Sequence, residues 1–151
     1  MQKRILVVDD EIDQVRVIAF NLRKAGCSVE TAMDGIEALR KARSILPDLI
    51  LLDLKLPELD GFTVCETLRR DPATSAIPIV ILSALSGQFG SLNALVAGAN
   101  EYITKPFSPK HLVDRVHALI SKTSGKRPDH RAVNLPAATK AIPPNKNSDR
   151  A

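Results

Sequence analysis

An uninterrupted apolar run that ends in a carboxylate constrains the fold of this chain more than any other stretch. Residues 49–52 are all leucine or isoleucine, Asp53 follows them directly, and a loop with Pro57 and Gly61 comes next. A short run of this kind is typical of a strand buried on both faces of a parallel sheet. Open α/β sheets place their chemistry at the carboxyl ends of such strands. We therefore expect Asp53 to lie at the rim of a sheet, where it could act as a nucleophile.

Strand-like and helix-like patterns alternate along the chain as far as residue 122. Apolar residues spaced by three or four predict amphipathic helices, and the first helix is expected to face the core with Ile12, Val15, Ala19 and Leu22. Five strands are predicted, at residues 4–8, 28–32, 49–53, 78–83 and 101–104. Strict alternation implies right-handed crossovers. It predicts an α/β fold with one five-stranded parallel sheet and five helices on both faces.

The charge divides the chain into two parts. Residues 1–121 carry 14 Lys or Arg against 15 Asp or Glu, whereas residues 122–151 carry seven against two. The second part is rich in Pro and Asn and has no apolar period, which is typical of disorder. We predict a folded domain over residues 1–122 and a basic, Pro-rich disordered tail over residues 123–151. Because the tail's charge is thinly spread and it lacks aromatic residues, we expect no direct binding of nucleic acid, although a tail that anchors the protein to nucleic acid is a competing interpretation.

The remaining composition bears on location. No stretch approaches the roughly 20 apolar residues of a membrane span, and the apolar run after the basic N-terminus is too short for a signal peptide. The two cysteines, Cys27 and Cys65, match no metal or redox spacing. We expect a cytoplasmic protein with no membrane partner.

Chemically useful side chains follow four of the predicted strands: Asp9 and Asp10, Asp53, Ser83 and Lys105. The carboxyl ends of parallel strands share one edge, so these groups should converge. Two carboxylates about 4 Å apart repel by about 4 kcal/mol at an effective dielectric of 20. Three carboxylates are therefore tenable only with a nearby cation or with a raised pKa. Mg²⁺ suits carboxylate and phosphate oxygens. An aspartate beside Mg²⁺ and a lysine is equipped to attack a phosphoryl group.

Four motifs add a resemblance to these observations. They are residues 5–11 (ILVVDDE), residues 53–61 with DLKLP followed by Asp60 and Gly61, residues 81–84 (ILSA) and residues 98–107 (GANEYITKPF). In this order and spacing, from about Lys3 to Lys122, the chain resembles the receiver domain of two-component response regulators. The resemblance implies the strand order 2-1-3-4-5 of the flavodoxin-like, doubly wound fold.

The resemblance also implies how the site would work. Asp53 would take a phosphoryl group from a sensor histidine kinase or a histidine phosphotransfer protein. Asp10, Asp53 and the backbone carbonyl of Lys55 would bind Mg²⁺, with Asp9 reaching it through water. Lys105 would bind the phosphoryl oxygens, and the protein would catalyse only its own phosphorylation and dephosphorylation.

A switch is implied as well. Ser83 would move to hydrogen-bond the phosphoryl group, and Tyr102 would turn inward behind it. The bond between Lys105 and Pro106 would be cis, a geometry that is accessible before proline. The fourth helix, fifth strand and fifth helix would then bind an unidentified downstream protein. Nothing foldable follows residue 122, so we expect a stand-alone receiver.

Two positions would tune hydrolysis in this family, and here they hold Lys55 and Leu85. Neither is a good water-orienting amide or carboxylate. We expect the phosphoryl group to last longer than in fast chemotaxis-type receivers. The alternative is a Mg²⁺-dependent phosphatase of the haloacid dehalogenase type, which also forms an aspartyl phosphate. Such enzymes carry an acid two residues after the nucleophile, where this chain has Lys55.

Overall fold

The computed structural model of the chain describes residues 2–84 and 88–123, with the backbone alone at residues 88–92 and 123. The predicted tail, beyond residue 123, and Leu85 lie outside the described residues. The elements are β1 (Arg4–Val8), α1 (Ile12–Lys24), β2 (Ser28–Ala32), α2 (Gly35–Ile45), β3 (Leu49–Asp53), α3 (Gly61–Arg70), β4 (Ile79–Ser83), α4 (Gln88–Ala97), β5 (Glu101–Thr104) and α5 (Pro109–Thr123). Within these residues, none of the helices is both long and apolar enough to cross a lipid bilayer.

The strands form one parallel sheet in the order β2-β1-β3-β4-β5, which confirms the predicted fold class. Every residue of β3 and β4 is buried, whereas edge strand β2 alternates between buried and accessible positions. The register pairs Val8 with Leu52, Asp53 with Leu82 and Ser83 with Thr104. The carboxyl ends of the three central strands and β5 therefore reach the same edge of the sheet.

Helices cover both faces of the sheet, and each face has its own apolar core. One core contains buried side chains of α2, α3 and α4, such as Ala38, Val64 and Ala94. The other contains buried side chains of α1 and α5, such as Ile18 and Val116. The aliphatic strand residues alternate between the two cores, so a single sheet holds all five helices at fixed positions.

Helix α1 corrects one expectation. The spacing of apolar residues predicts that Ile12 faces the core, but this residue is 52% exposed. The buried residues of α1 are Val15, Ile18, Ala19 and Leu22. The physical reason is its place in the chain. Ile12 opens α1 only four residues after β1 ends, so it lies at the rim of the sheet and has no strand beneath it.

Candidate functional site

The last residues of β3 and β4 and the loops after β1 and β5 bring the predicted site residues to one edge of the sheet. Asp9 and Asp53 are buried, with 1% and 6% of their surface exposed, and Ser83 is completely buried. Asp10 is exposed at the mouth of the site. The backbone N–H of Lys105 donates to the carbonyl of Ser83 at 2.8 Å. This bond continues the β4–β5 ladder by one step and fixes where the lysine side chain starts.

The three carboxylates form one cluster. Each of Asp9, Asp10 and Asp53 offers an oxygen, and these oxygens lie within 4.8 Å of one another. The Lys105 ammonium lies 3.3 Å from Asp9 Oδ2 and 3.3 Å from Asp53 Oδ1. Asp9 is held from its other side, because Oδ1 accepts a hydrogen bond from the backbone N–H of Glu11 at 3.0 Å. The partly buried ammonium of Lys105 therefore bridges two of the three acids.

The charges in this cluster do not balance, and the pKa values reflect it. Burial and the neighbouring Asp9 raise the pKa of Asp53 to about 6, although Lys105 opposes the shift. Burial disfavours the charge on Lys105, but Asp53 and Asp9 outweigh it, so the pKa of Lys105 is raised. Asp53 therefore holds its proton more tightly than a free aspartate, because it is buried beside another carboxylate.

The donor set fits a hard divalent cation. All three side chains supply carboxylate oxygens, the ligands that Mg²⁺ and Ca²⁺ prefer. Their 4.8 Å spread is comparable with the span of one ion's coordination sphere, roughly 4–5 Å. A bound cation would also offset the burial and the repulsion from Asp9 that raise the pKa of Asp53. The residues present are therefore suited to holding such an ion.

The β3–α3 loop depends on a glycine that the sequence motif contained but did not explain. The backbone N–H of Gly61 donates to the carbonyl of Leu54 at 2.9 Å. A Cβ at this position would lie 2.5 Å from the carbonyl oxygen of Asp53 and 2.8 Å from Leu54 Cα. Because both neighbours are backbone atoms, α3 can begin this close to Asp53 only with glycine at its first position. In the sequence, the pair Asp60 and Gly61 after the apolar run indicated a turn at this point.

The other residues predicted from the sequence lie near the acidic cluster, except for Leu85. The Lys105–Pro106 peptide bond is cis. Tyr102 is partly buried against the core on the α2, α3 and α4 face, and it pairs with Ile81 of β4. Lys55 is exposed. Leu85 is not among the described residues, so the structure places only one of the two positions predicted to tune hydrolysis.

An exposed apolar face beside the site was missed by the sequence reasoning. On α1, Ile12, Val17 and Phe20 are 52%, 48% and 64% exposed. A groove of about 380 Å³ runs from Val17 to the β5–α5 loop, and its lining includes Gln14, Lys105, Pro106 and Phe107. The signal in the sequence was that Val17 and Phe20 fall outside the core stripe of α1.

Comparisons with known proteins agree with this geometry. Residues 5–117 match the family model described as the response regulator receiver domain. The chain is 43% identical over 134 residues to the alkaline phosphatase synthesis transcriptional regulatory protein PhoP of Bacillus subtilis, covering 89% of this chain and 55% of that protein. It is 45% identical over 119 residues to response regulator PleD of Caulobacter vibrioides, covering 79% of this chain and 26% of that protein. The chain thus spans about half or less of these curated relatives.

Solved structures show the same fold over their whole length. A putative response regulator from Chloroflexus aurantiacus superposes with a TM-score of 0.77 at 36% identity, covering 80% of this chain and 99% of that one. The chemotaxis response regulator CheY4 of Vibrio cholerae gives 0.75 at 30% identity, covering 79% and 99%. The sheet order, the acidic cluster at its carboxyl edge and these matches lead to one conclusion: the chain belongs to the response regulator receiver domain family.

Proposed function

We propose that Asp53 accepts a phosphoryl group from a sensor histidine kinase or a histidine phosphotransfer protein, in a Mg²⁺-dependent reaction. The observation that carries the proposal is the clustering of Asp53 with Asp9 and Asp10 within 4.8 Å, with Lys105 at 3.3 Å from Asp53. The proposed unit is a receiver domain over residues 1–122, with residues 123–151 as a basic tail.

The residues of the cluster would divide the chemistry. A pKa of about 6 leaves Asp53 mostly ionised near neutral pH, so it can attack phosphorus in line while the bond to the donor imidazole breaks. Asp10, Asp53 and the backbone carbonyl of Lys55 would hold Mg²⁺, with Asp9 binding it through water. When bound, the ion neutralises charge on the phosphoryl oxygens. Lys105, already 3.3 Å from Asp53, is within reach of oxygens attached there.

The switch would run from the phosphoryl group to one face of the domain. A phosphoryl group adds about 1.5 to 2 negative charges and three strong acceptors. Ser83 at the end of β4 would bond to it, and Tyr102 would change its burial in response. The surface of α4, β5 and α5 would then bind a downstream protein through a shift between existing conformations. We place this protein in the cytoplasm, where a kinase would meet it.

The apolar face of α1 is the proposed docking surface for the phosphodonor protein. A donor histidine has to reach Asp53 from outside, and Ile12, Val17 and Phe20 are the exposed large apolar residues of α1, the helix that follows the loop of Asp9 and Asp10. Phe20→Ser should slow phosphorylation by a protein donor by about tenfold and leave phosphorylation by acetyl phosphate unchanged. Equal slowing with both donors would argue for damage to the site instead.

The test of the proposed function is phosphorylation with a small donor. Incubation with Mg²⁺ and acetyl phosphate should label the wild-type protein, as read by phosphate-affinity electrophoresis and intact mass. Asp53→Asn should abolish the label, as should chelation of the metal. Asp13→Asn is the matched control, because Asp13 is an exposed acid in the first turn of α1. Equal labelling of Asp53→Asn and wild type would overturn the proposal.

We propose that the site does not turn over free phosphate esters, since an exposed Lys55 stands where the competing phosphatase class has an acid. Lys55 and Leu85 would instead give a phosphoryl lifetime longer than that of fast chemotaxis-type receivers. A half-life of seconds without a phosphatase would contradict the lifetime, and steady hydrolysis of a generic ester would revive the phosphatase.

Direct binding of nucleic acid is not part of the proposed function. RpaA of Synechocystis is named a DNA-binding regulator, and this chain covers 50% of that relative. The receiver match covers residues 5–117, and the basic charge is concentrated in the tail. Salt-dependent DNA binding that disappears when residues 124–151 are deleted would contradict this part of the proposal.

A further inference from the structure

A hydrogen-bonded cluster lies at the amino ends of β4 and β5, across the sheet from Asp53. At its centre is the guanidinium of Arg69, near the C-terminal end of α3. Nε donates to the carbonyl of Gly98 at 2.8 Å, and Nη1 donates to the carbonyls of Ile77 at 2.7 Å and Ser75 at 3.1 Å. Nη2 donates to Asn100 Oδ1 at 2.7 Å. One side chain of α3 thus binds the loop before β4 and the turn before β5.

Asn100 extends the cluster into the sheet. Its Oδ1 also accepts a hydrogen bond from the backbone N–H of Ile79 at 2.8 Å. The backbone N–H of Asn100 in turn donates to the carbonyl of Ile79 at 2.8 Å. Ile79 is the first residue of β4, and β5 begins one residue after Asn100. Arg69 therefore fixes the starts of β4 and β5 relative to α3 through one shared amide oxygen.

Helix α4 ends against the stem of the same arginine. Gly98, just after α4, has φ of +108°, and a Cβ there would lie 2.7 Å from Arg69 Cγ. Only a glycine both adopts this backbone conformation readily and leaves room for the arginine. The C-terminal end of α4 is thus held by a contact with Arg69 and by the Nε hydrogen bond to the carbonyl of Gly98.

The two ends of α4 are connected to different parts of the protein. Its N-terminal end follows β4, which closes with Ser83, and its C-terminal end meets Arg69. Beyond the anchored turn, Tyr102 comes two residues after Asn100. If the C-terminal end of α4 stays in place, a rearrangement at Ser83 would turn the helix about a fixed point next to β5 instead of shifting the whole helix.

We propose that Arg69 is a positioning residue that anchors the C-terminal end of α4 and the start of β5, so that α4 pivots at Gly98 when Ser83 engages a phosphoryl group. The inference rests on the proposed function of Asp53 and adds a residue outside the phosphorylation site. It assigns to a partly buried arginine the coupling between the site and the Tyr102 face. Arg69 itself touches none of the reacting groups.

Tyr102 supplies the readout, since it is the single tyrosine of a chain without tryptophan. Its fluorescence is followed as Mg²⁺ and beryllium fluoride, a phosphoryl mimic, are added to the full chain. Arg69→Gln should lose about half or more of the wild-type fluorescence change, with acetyl phosphate labelling of Asp53 unchanged. Arg70→Gln, at the exposed neighbouring arginine, should behave like wild type, and Arg69→Lys should fall between.

Hydrogen exchange tests the anchor directly in the absence of phosphorylation. The amides of residues 98–100 should exchange about tenfold faster in Arg69→Gln than in wild type or Arg70→Gln. Asn100→Leu removes the amide whose Oδ1 accepts from both Arg69 and Ile79, and it keeps the experiment decisive if Arg69→Gln folds poorly. It should also shrink the fluorescence change, whereas Asn100→Asp, which keeps an oxygen acceptor, should preserve it.

The outcomes separate the two proposals. A wild-type protein that acetyl phosphate does not label at Asp53 would overturn the proposed function. With labelling intact, an undiminished fluorescence change in Arg69→Gln and Asn100→Leu would overturn the role of Arg69. A wild type that is labelled but shows no change at Tyr102 would overturn that role as well.

Discussion

The two edges of the sheet differ in how well their charged side chains are matched by neighbouring polar groups. At the carboxyl edge, Asp9, Asp10 and Asp53 share the single ammonium of Lys105, and the pKa of Asp53 rises to about 6. At the amino edge, one guanidinium, Arg69, donates to four neutral oxygen atoms. The first arrangement has an excess of negative charge, which a bound cation would offset. The second is satisfied within the protein, so it can serve as a rigid support.

The largest loss of stability is expected from a substitution at the amino edge. Arg69→Met leaves the carbonyls of Ser75, Ile77 and Gly98 without this donor, and an unsatisfied buried polar group costs about 1–3 kcal/mol. We expect the free energy of unfolding to fall by about 2–4 kcal/mol in urea denaturation. Arg70→Met, at the exposed neighbour, should stay within about 0.5 kcal/mol of wild type. An equal fall in the free energy of unfolding in the two variants would show that the hydrogen bonds of Arg69 do not stabilise the protein.

At the carboxyl edge, the largest loss is expected from Gly61→Ala. The added methyl group would meet the Asp53 carbonyl at 2.5 Å and Leu54 Cα at 2.8 Å, so the backbone beside the site has to shift. Overpacking of this kind costs about 2–3 kcal/mol, and labelling of Asp53 by acetyl phosphate should slow. Gly26→Ala is the control: Gly26 has φ of +98° but open space, so it should cost about 1–2 kcal/mol without changing the labelling. Unaltered labelling of Gly61→Ala would contradict the close approach.

Asp53→Asn should stabilise the metal-free protein, the opposite sign from the first two variants. Burial and Asp9 raise the pKa of Asp53 from 3.8 to about 6, so the folded state holds this proton more tightly than the unfolded state does. Ionisation therefore costs stability as the pH rises through 6, and the cost is absent below about pH 4. We expect a gain of about 1–2 kcal/mol at pH 7.5 that disappears as the pH falls to 4.

The measurement is urea denaturation of wild type and Asp53→Asn in chelator between pH 4 and 8. Added Mg²⁺ should reduce or reverse the difference, because the ion stabilises the ionised wild-type cluster. Asp13→Asn, outside the cluster, should show no such pH dependence. A gain that grows as the pH falls would contradict the assigned direction of the pKa shift.

The smallest expected effect is the coupling between Lys105 and Asp53. Lys105→Met removes the ammonium that lies 3.3 Å from both Asp9 and Asp53, and should destabilise the metal-free protein by about 1–2 kcal/mol at pH 7.5. In the Asp53→Asn background the same change should cost about 1 kcal/mol less, as measured by a double-mutant cycle. Additive effects would mean that the lysine interacts mainly with Asp9.

Much of the site at the carboxyl edge could be predicted because a general rule of sheet topology brings together residues that are far apart in the sequence. Asp9 and Lys105 are 96 residues apart and Asp53 and Lys105 are 52 apart, yet each follows a strand in a recognisable pattern. Once the strands are parallel, their ends share an edge whatever lies between them. The alternation of strands and helices and the acidic cluster therefore followed from local patterns. The strand order was implied by the family resemblance.

The amino edge could not be predicted in this way. Arg69 bonds to residues 29 and 31 positions away, and in the sequence it looks like an ordinary helix-end arginine next to Arg70. Its role depends on the course of the α3–β4 loop and on where α4 ends. The prediction that Ile12 is buried was wrong for a related reason. Its spacing fits the core stripe of α1, but it lies at the rim of the sheet. The sequence by itself determined which strands and charges this protein has. The tertiary structure decided which helix ends meet, because those contacts depend on backbone paths that no local period specifies.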